Sequence, residues 1–119
     1  MFDIHHDKLG NMAVVECEGS LIGSAAFKLR DAVTSQPDAK IMVIDLSEVY
    51  ALEGGGLGIL IFLQRWAHDH DIQLKLFNPS RSVREKLKIA STLSEFDIVG
   101  LHEMMALLAQ ADRSYVMAA

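Results

Sequence analysis

One segment, residues 40–58, limits the folds open to this chain more than any other part of the sequence. A nearly continuous apolar run, Ile41-Met42-Val43-Ile44-Asp45-Leu46, leads through a mixed stretch to the glycine cluster Glu53-Gly54-Gly55-Gly56-Leu57-Gly58. The apolar run is typical of a central strand that is covered on both faces. The apolar residues that follow the cluster predict a helix from Gly56 to about His70. A strand that leads through glycines into a helix favours an α/β fold.

Hydrophobic periodicity divides the rest of the chain into strands and helices. Further strands are predicted at residues 2–5, 12–17, 72–77 and 96–99, with a hairpin turn at residues 8–11. Further helices are predicted at residues 22–33, 82–90 and 101–110, and Pro37 follows the end of the first. Because a helix separates strand 3 from strand 4, these two strands should run parallel through a right-handed crossover. The order predicts a single domain with a mixed sheet.

Two finer predictions concern helix ends and helix faces. Ser82 and Glu85 have the spacing of a capping box, which places the N-cap of the third helix at Ser82. In the second helix, the predicted apolar stripe consists of Ile59, Phe62, Leu63 and Trp66. Leu60 and Ile61 lie away from that stripe, so either neighbouring helices cover them or they contact a partner or a second copy in a homodimer.

Composition narrows the classes of partner and compartment. The net charge of -5 disfavours nucleic acid as a partner, because phosphate binding needs a basic face. The single cysteine, Cys17, cannot form an internal disulfide, which favours a reducing, cytoplasmic location. The longest apolar run, residues 57–63, is too short to span a bilayer, so no direct membrane insertion is expected. The third helix is locally basic at Arg81, Arg84, Lys86 and Lys88. A solvated face would explain these residues, and so would an acidic partner or the headgroups of a membrane to which a partner is bound.

The glycine cluster must be tested against phosphate-binding loops, because N–H groups and the helix dipole attract anions to a helix start. A P-loop requires Gly-Lys-Ser/Thr, yet no lysine follows the cluster before Lys75. The dinucleotide pattern Gly-x-Gly-x-x-Gly fails as well, since its last position falls on Ile59 or Ile61. No cofactor is therefore predicted. No metal site is predicted either, because His68 and His70 diverge on a helix.

The same segment resembles the signature of the STAS domain, the fold of bacterial anti-anti-sigma factors. The resemblance rests on Asp45-Leu46-Ser47 at the end of a central strand and on Gly56-Leu57-Gly58 at a helix start. Leu93 and Phe96, which precede Ile98-Val99, are similar to the family's ending, and the order of elements agrees along nearly the whole chain. The resemblance implies one STAS-like α/β domain over all 119 residues, with a mixed sheet of four to five strands and helices packed mainly on one side.

Two departures from the family pattern affect its regulatory switch. The family's cluster usually reads Asp-Ser-Ser-Gly-Leu-Gly, and phosphorylation of its second serine releases the partner. Gly55 stands at the corresponding position and has no hydroxyl, so the resemblance implies no phosphorylation there. Upstream, Ile22 stands where the family has an acidic residue, and Glu53 replaces the aspartate. These departures indicate a domain that binds its partner without the usual serine switch.

The glycines of the cluster, and Ile22, each have two explanations. A tight turn that only glycine can make accounts for Gly56 and Gly58, so we predict structural roles for both. For Gly54 and Gly55, the same turn and a bare backbone platform for a partner are equally good explanations, because the family accepts serine there. For Ile22, burial in the core and exposure on a contact surface are both open.

By resemblance, the chain is a noncatalytic protein-binding regulator of the anti-sigma factor antagonist type. Its expected partner is an anti-sigma factor with a kinase-like fold. The expected contact surface consists of Ile22, Gly23, Ser24, Glu53, Gly54, Gly55, Gly56 and Leu57. Two other functions stay open. One is a cytoplasmic adaptor subunit of a lipid-handling ABC transport complex, and the other is a sensor that binds a nucleotide or another small molecule at the helix start.

Overall fold

The computed structural model describes residues 2–90 and 95–118, with the side chains of the last helix described as far as Ala111. These residues form strands and helices in the predicted order. The elements are β1 (Phe2–Leu9), β2 (Met12–Leu21), α1 (Ala25–Thr34), β3 (Ile41–Leu52), α2 (Gly55–Asp69), β4 (Gln73–Phe77), α3 (Arg81–Ile89), β5 (Ile98–Val99) and α4 (Leu101–Ala118). Leu93, one of the residues that carried the family resemblance, lies outside the described residues.

The strands form one mixed five-stranded sheet with the order β1-β2-β3-β4-β5. β1 and β2 are antiparallel, and the tight turn between them contains Gly10, whose left-handed φ of 60° favours glycine. The pairings of β2 with β3, β3 with β4 and β4 with β5 are parallel. The predicted α/β class, the mixed sheet and the parallel arrangement of strands 3 and 4 are therefore confirmed.

Apolar side chains form a large core on one face of the sheet and a smaller core on the other. On the first face, α1, α2 and α3 pack over the inward residues of the strands, such as the fully buried Ile44. On the second face, α4 contributes Met104 and Ala111 to a cluster with Met12 and Val43. Three helices thus lie on one face and α4 on the other, which agrees with the predicted packing mainly on one side.

β3 is longer than predicted, because it continues beyond Leu46 to Leu52. Its register with β2 shifts at two places, and at each of them β3 carries one more residue than β2. Such β-bulges break the alternation of buried and exposed side chains that marks a strand in a sequence. The predicted end of the central strand at Asp45-Leu46-Ser47 is therefore wrong. The strand instead continues through Tyr50 to Leu52, and Leu52 pairs with Leu21 at the end of β2.

Three helices begin at positions other than those predicted, and α2 differs by a single residue because it starts at Gly55 rather than at Gly56. α1 starts at Ala25 rather than at Ile22, because the chain first turns through a glycine with a left-handed φ of 59°. The N-cap of α3 is Ser80 rather than Ser82, since the backbone N–H of Val83 donates a hydrogen bond of 3.4 Å to the Ser80 Oγ. The predicted capping box is therefore wrong, although a serine does cap the helix.

The buried face of α2 also differs from the prediction. The residues of α2 that are buried recur at helical spacing and are Gly56, Leu60, Leu63 and Ala67. Leu60 is fully buried, whereas Phe62 is 47% exposed, so the predicted stripe is wrong at both positions. The pattern misleads because a glycine and an alanine occupy two of the buried positions, and the larger apolar side chains on the flanks dominate the sequence signal.

Candidate protein-binding surface at the glycine turn

The glycine turn lies where two parallel strands end side by side. Leu21 at the end of β2 pairs with Leu52 at the end of β3, so the carboxyl ends of these two parallel strands lie next to each other. Each strand is followed by a glycine with a left-handed φ, 59° at Gly23 and 50° at Gly54, and then by a helix. A residue with a side chain would be strained at either position. The starts of α1 and α2 are therefore held next to each other.

Gly56 holds the start of α2 against the end of β2. A Cβ atom at this position would lie 1.9 Å from the carbonyl oxygen of Leu21 and 2.9 Å from its carbonyl carbon. Both atoms belong to the backbone, so a side chain here would push the helix and the strand apart. The structural role predicted for Gly56 is confirmed. The same prediction is wrong for Gly58, where a Cβ would meet nothing within 4 Å and φ is not left-handed.

Gly54 and Gly55 form the exposed part of the turn. The turn is closed by backbone hydrogen bonds, since the Gly56 N–H donates to the Glu53 carbonyl at 2.9 Å and the Gly58 N–H donates to the Gly54 carbonyl at 3.0 Å. The left-handed φ of Gly54 explains a glycine there. At Gly55, the nearest atom to an added Cβ would be a carbonyl oxygen 4.0 Å away, which is an ordinary contact. The fold itself therefore does not require glycine at position 55.

The other predicted contact residues are divided between the surface and the interior. Ile22 is 46% exposed, which supports the surface role over burial in the core. Ser24 and Glu53 are exposed beside it, whereas Gly56 is buried and Leu57 is half-buried against the large core. The accessible part of the predicted set consists of Ile22, Gly23, Ser24, Glu53, Gly54 and Gly55.

Lys86 and Tyr50 adjoin the turn, although sequence reasoning did not place them there. The Lys86 Nζ lies 3.5 Å from the Glu53 carboxylate, and this ion pair joins α3 to the turn. Exposed pairs contribute only about 0–1 kcal/mol, so this one adds little to the stability of the fold. Tyr50 is 67% exposed and, together with Glu53 and Lys86, lines a shallow groove beside the turn. The sequence analysis assigned the basic side chains of α3 to solvent or to a partner, and it did not predict a contact with Glu53.

Carboxylates cover part of the second face of the sheet. Asp3, Glu18 and Glu48 lie opposite one another across β1, β2 and β3, and Glu16 lies opposite Asp45 in a neighbouring row. Like charges in directly opposite positions destabilise a sheet, so this face keeps a negative potential at some energetic cost. Within residues 2–90 and 95–118, no three histidine, cysteine, aspartate or glutamate side chains converge to hold a metal ion.

Cys17 of β2 is expected to be inert in the folded protein. Its side chain is 3% exposed, and burial together with the negative charge of Asp45 raises the pKa of the thiol from 9.0 to about 12. Because the thiolate is the reactive form, we expect no reaction with a colorimetric disulfide reagent at pH 8 in native buffer and full reaction in denaturant. Rapid reaction of the native protein would contradict the described burial.

The same shift gives a pH dependence of stability with a definite sign. Between pH 9.0, where the unfolded thiol loses its proton, and about 12, where the folded thiol follows, the unfolded state binds fewer protons than the folded state. The contribution of Cys17 to the free energy of unfolding is therefore complete below pH 9.0 and is lost as the pH rises toward about 12. A Cys17→Ala variant should lack this alkaline loss.

Comparison with known proteins identifies the family. A family model described as the STAS domain matches residues 4–107 of the 119-residue chain. The chain belongs to the STAS domain family. No curated protein matches this STAS domain in sequence. Within its described part, none of the helices has both the length and the apolar character needed to cross a bilayer.

Solved structures share the fold of this STAS domain at low sequence identity. An anti-sigma factor antagonist from Mycobacterium paratuberculosis has a TM-score of 0.74 at 17% identity, over 92% of this chain and 95% of that one. The Bacillus cell fate determinant SpoIIAA in its phosphorylated form has a TM-score of 0.68 at 17% identity, over 90% and 96%. The murine anion transporter Solute Carrier 26 family member A9 has a TM-score of 0.72 at 13% identity, over 87% of this chain and 18% of the transporter. These similarities confirm the fold.

Proposed function

We propose that this STAS domain is a noncatalytic, cytoplasmic regulator that binds an anti-sigma factor with a kinase-like fold and acts as its antagonist. The observation that carries the proposal is the exposed glycine turn, where Gly54 and Gly55 present bare backbone at the start of α2. The anti-sigma factor antagonist from Mycobacterium paratuberculosis has the same fold along nearly its whole length, which supports this class of function.

Bare backbone at a helix start suits recognition by another protein. Without Cβ atoms at Gly54 and Gly55, a partner can approach the backbone at the start of α2 closely. Beside the turn, the half-exposed Ile22 supplies apolar contact area, and Glu53, which is paired with Lys86, supplies a negative charge. An apolar centre bordered by polar groups is the usual composition of a protein–protein interface.

The residue at position 55 separates this proposal from a phosphorylation-switched antagonist. SpoIIAA, which has the same fold, has been solved in a phosphorylated form. By the family pattern, Gly55 corresponds to the serine that is phosphorylated, and glycine cannot accept a phosphoryl group. Phosphorylation adds about two negative charges, and here that change cannot occur at position 55. We therefore propose a domain that stays competent to bind its partner at this turn.

The substitution Gly55→Asp is expected to abolish partner binding and to leave the fold intact. Position 55 has room for a side chain, and a carboxylate in the first turn of a helix is favourable by about 0.3–1 kcal/mol, so thermal stability should not fall. In the complex the same carboxylate would be desolvated without a counter-ion, which costs about 2–5 kcal/mol, or about 30-fold or more in affinity. A native pull-down with mass spectrometry, followed by titration of the recovered partner, measures both effects.

The matched control is Gly100→Asp. Gly100 directly precedes α4 and has open space around it, so this variant adds the same charge at a different helix start. We expect wild type and Gly100→Asp to recover a kinase-like anti-sigma factor and Gly55→Asp to lose it. Recovery of membrane transport subunits would replace the proposal with the adaptor function. Equal recovery of one partner by all three proteins would move the interface away from the glycine turn.

A further inference from the structure

The second face of the sheet is covered by α4 over only part of its area. The helix contacts both β5 and β1, and it packs on this face through Met104 and Ala111. Because side chains alternate along a strand, Glu16 and Glu18 of β2 lie on the same face as Met12, beyond the apolar part that α4 covers. Both glutamates are exposed. The carboxyl-terminal half of β2 and β3 is therefore open on this face.

The open half carries a concentration of negative charge. Its carboxylates line a shallow depression of about 130 Å³ and belong to Asp3, Glu16, Glu18, Asp45 and Glu48. None of the five forms an ion pair with a described residue. The basic side chains that the strands place nearby are already paired, since His5 lies 3.5 Å from Asp7. Likewise, the Lys75 Nζ lies 2.6 Å from the Asp97 carboxylate.

This charge selects the class of partner. Carboxylates that face each other across strands repel, and a cationic partner would relieve that repulsion. Nucleic acids and the surfaces of anionic membranes carry the same sign of charge as this face, so both are disfavoured. A basic protein segment is the macromolecule that complements the open half.

An exposed apolar stripe of α4 borders the open half. Leu101, Met105 and Leu108 recur at i, i+4 and i+7, and they are 66%, 61% and 38% exposed. They lie about a quarter turn around the helix from Met104 and Ala111, on one flank of α4. With right-handed crossovers between the parallel strands, this flank is directed toward the carboxyl ends of β2 and β3. The stripe and the carboxylates thus form the wall and the floor of one groove, which we call the α4 groove.

We infer that the α4 groove binds a basic amphipathic helix of a protein partner. The apolar side of that helix contacts the stripe of α4, and its lysines or arginines face the carboxylates of the floor. Docking of an amphipathic helix through residues spaced at i, i+3, i+4 and i+7 is a common recognition mode. The inference goes beyond the proposed function and does not rest on it, because α1 and α2, which start at the glycine turn, lie on the other face of the sheet.

A matched pair of synthetic peptides tests the chemistry of the α4 groove. Each peptide has about 15 residues with leucines at i, i+3, i+4 and i+7, and its polar face is either all lysine or all glutamate. Backbone amide NMR signals of the full chain are followed as each peptide is added. We expect the lysine peptide to bind about tenfold more tightly than the glutamate peptide, with the largest shifts at Glu16, Glu18, Glu48 and Met105. Added salt should weaken this binding.

Two double variants separate the α4 groove from a general attraction of lysine peptides to an acidic protein. Glu18→Gln/Glu48→Gln removes two carboxylates that lie opposite each other in the groove, and it should weaken binding of the lysine peptide about tenfold. Its urea midpoint should not fall, because the substitution removes a repulsion between strands. Asp69→Asn/Glu85→Gln removes the same charge from exposed positions of α2 and α3, and it should leave the affinity unchanged.

The apolar wall is tested by Met105→Ser, which should weaken binding of the lysine peptide about fivefold because it removes an exposed contact of the stripe. The inference is overturned by equal affinity for the two peptides, by equal weakening in the two double variants, or by shifts centred on α1 and α2. Absence of saturable binding would overturn it as well.

A second copy of the chain is the competing occupant, because its α3 is basic. Sedimentation of the chain alone, at the concentration of the titrations, should show a monomer. Self-association that Glu18→Gln/Glu48→Gln abolishes would assign the α4 groove to a second copy and would overturn the inference. Gly55→Asp should bind the lysine peptide as tightly as wild type, so loss of the anti-sigma factor in that variant tests the proposed function separately.

Discussion

Gly56→Ala should lower the free energy of unfolding by about 3 kcal/mol, the upper part of the range for overpacked positions. The added Cβ would lie 1.9 Å from the Leu21 carbonyl oxygen, which is far inside contact distance. Neither side of this contact can relieve it by a rotamer change, because both are backbone. The helix must move away from β2, and that movement loosens the packing of the buried Leu60 and Leu63. Urea unfolding, with the change read from the midpoint at constant slope, measures the effect.

Gly58→Ala is the matched control for this prediction. It makes the same chemical change in the same turn region, but its Cβ meets nothing within 4 Å. Alanine is the better helix former, so this variant should be more stable than wild type by about 0.5–1 kcal/mol. Equal effects of Gly56→Ala and Gly58→Ala on the urea midpoint would show that the contact between α2 and β2 is not as close as described.

The contact at Gly56 also matters for the candidate binding surface. It fixes α2 against the end of β2, and it thereby brings Gly55 to the carbonyl oxygen of Gly23. A displaced helix would separate the two turns, so Gly56→Ala should weaken partner binding even in the molecules that remain folded. Gly55→Asp, in contrast, acts at the surface and leaves this arrangement unchanged. The buried glycine and the exposed glycine therefore have distinct roles within one cluster.

Sequence reasoning placed the glycine cluster between a strand and a helix, but it could not assign these two roles to the individual glycines. Glycine at positions 56 and 58 carries the same local signal, and we predicted a structural role for both. The structure separates them because Gly56 lies against Leu21, a residue far away in the chain that the pairing of β2 with β3 brings next to the turn. Spacing within a motif indicates where backbone freedom is needed, but it does not show which atoms approach it.

The same limit explains which parts of the fold could be predicted. The mixed sheet and the order of elements follow from hydrophobic periodicity and chain connectivity, and both were predicted. The continuation of β3 to Leu52 was missed, because two bulges in its pairing with β2 interrupt the alternation of its buried and exposed side chains. The groove beside Glu53 was missed as well, because one of its lining residues, Lys86 of α3, is far from Glu53 in the sequence.

The second large effect on stability is expected from substitutions on the buried and exposed faces of α2. Leu60→Ala should lower the free energy of unfolding by about 2–5 kcal/mol, because Leu60 is fully buried in the large core and alanine would leave a cavity. Phe62→Ala should cost about 1 kcal/mol or less, although it removes more atoms, because Phe62 is 47% exposed and alanine favours the helix. Urea midpoints of the two variants measure the difference.

The sequence pattern alone predicts the opposite order for this pair. It places Phe62 within the buried stripe and Leu60 outside it, whereas the structure reverses both positions. A larger loss for Phe62→Ala than for Leu60→Ala would mean that α2 is rotated about its axis relative to the structure. Such a rotation would turn Gly55 and Gly58 toward the interior and would remove the bare backbone on which the proposed binding surface depends. The stability of these two variants therefore tests the orientation of the binding surface before any partner is known.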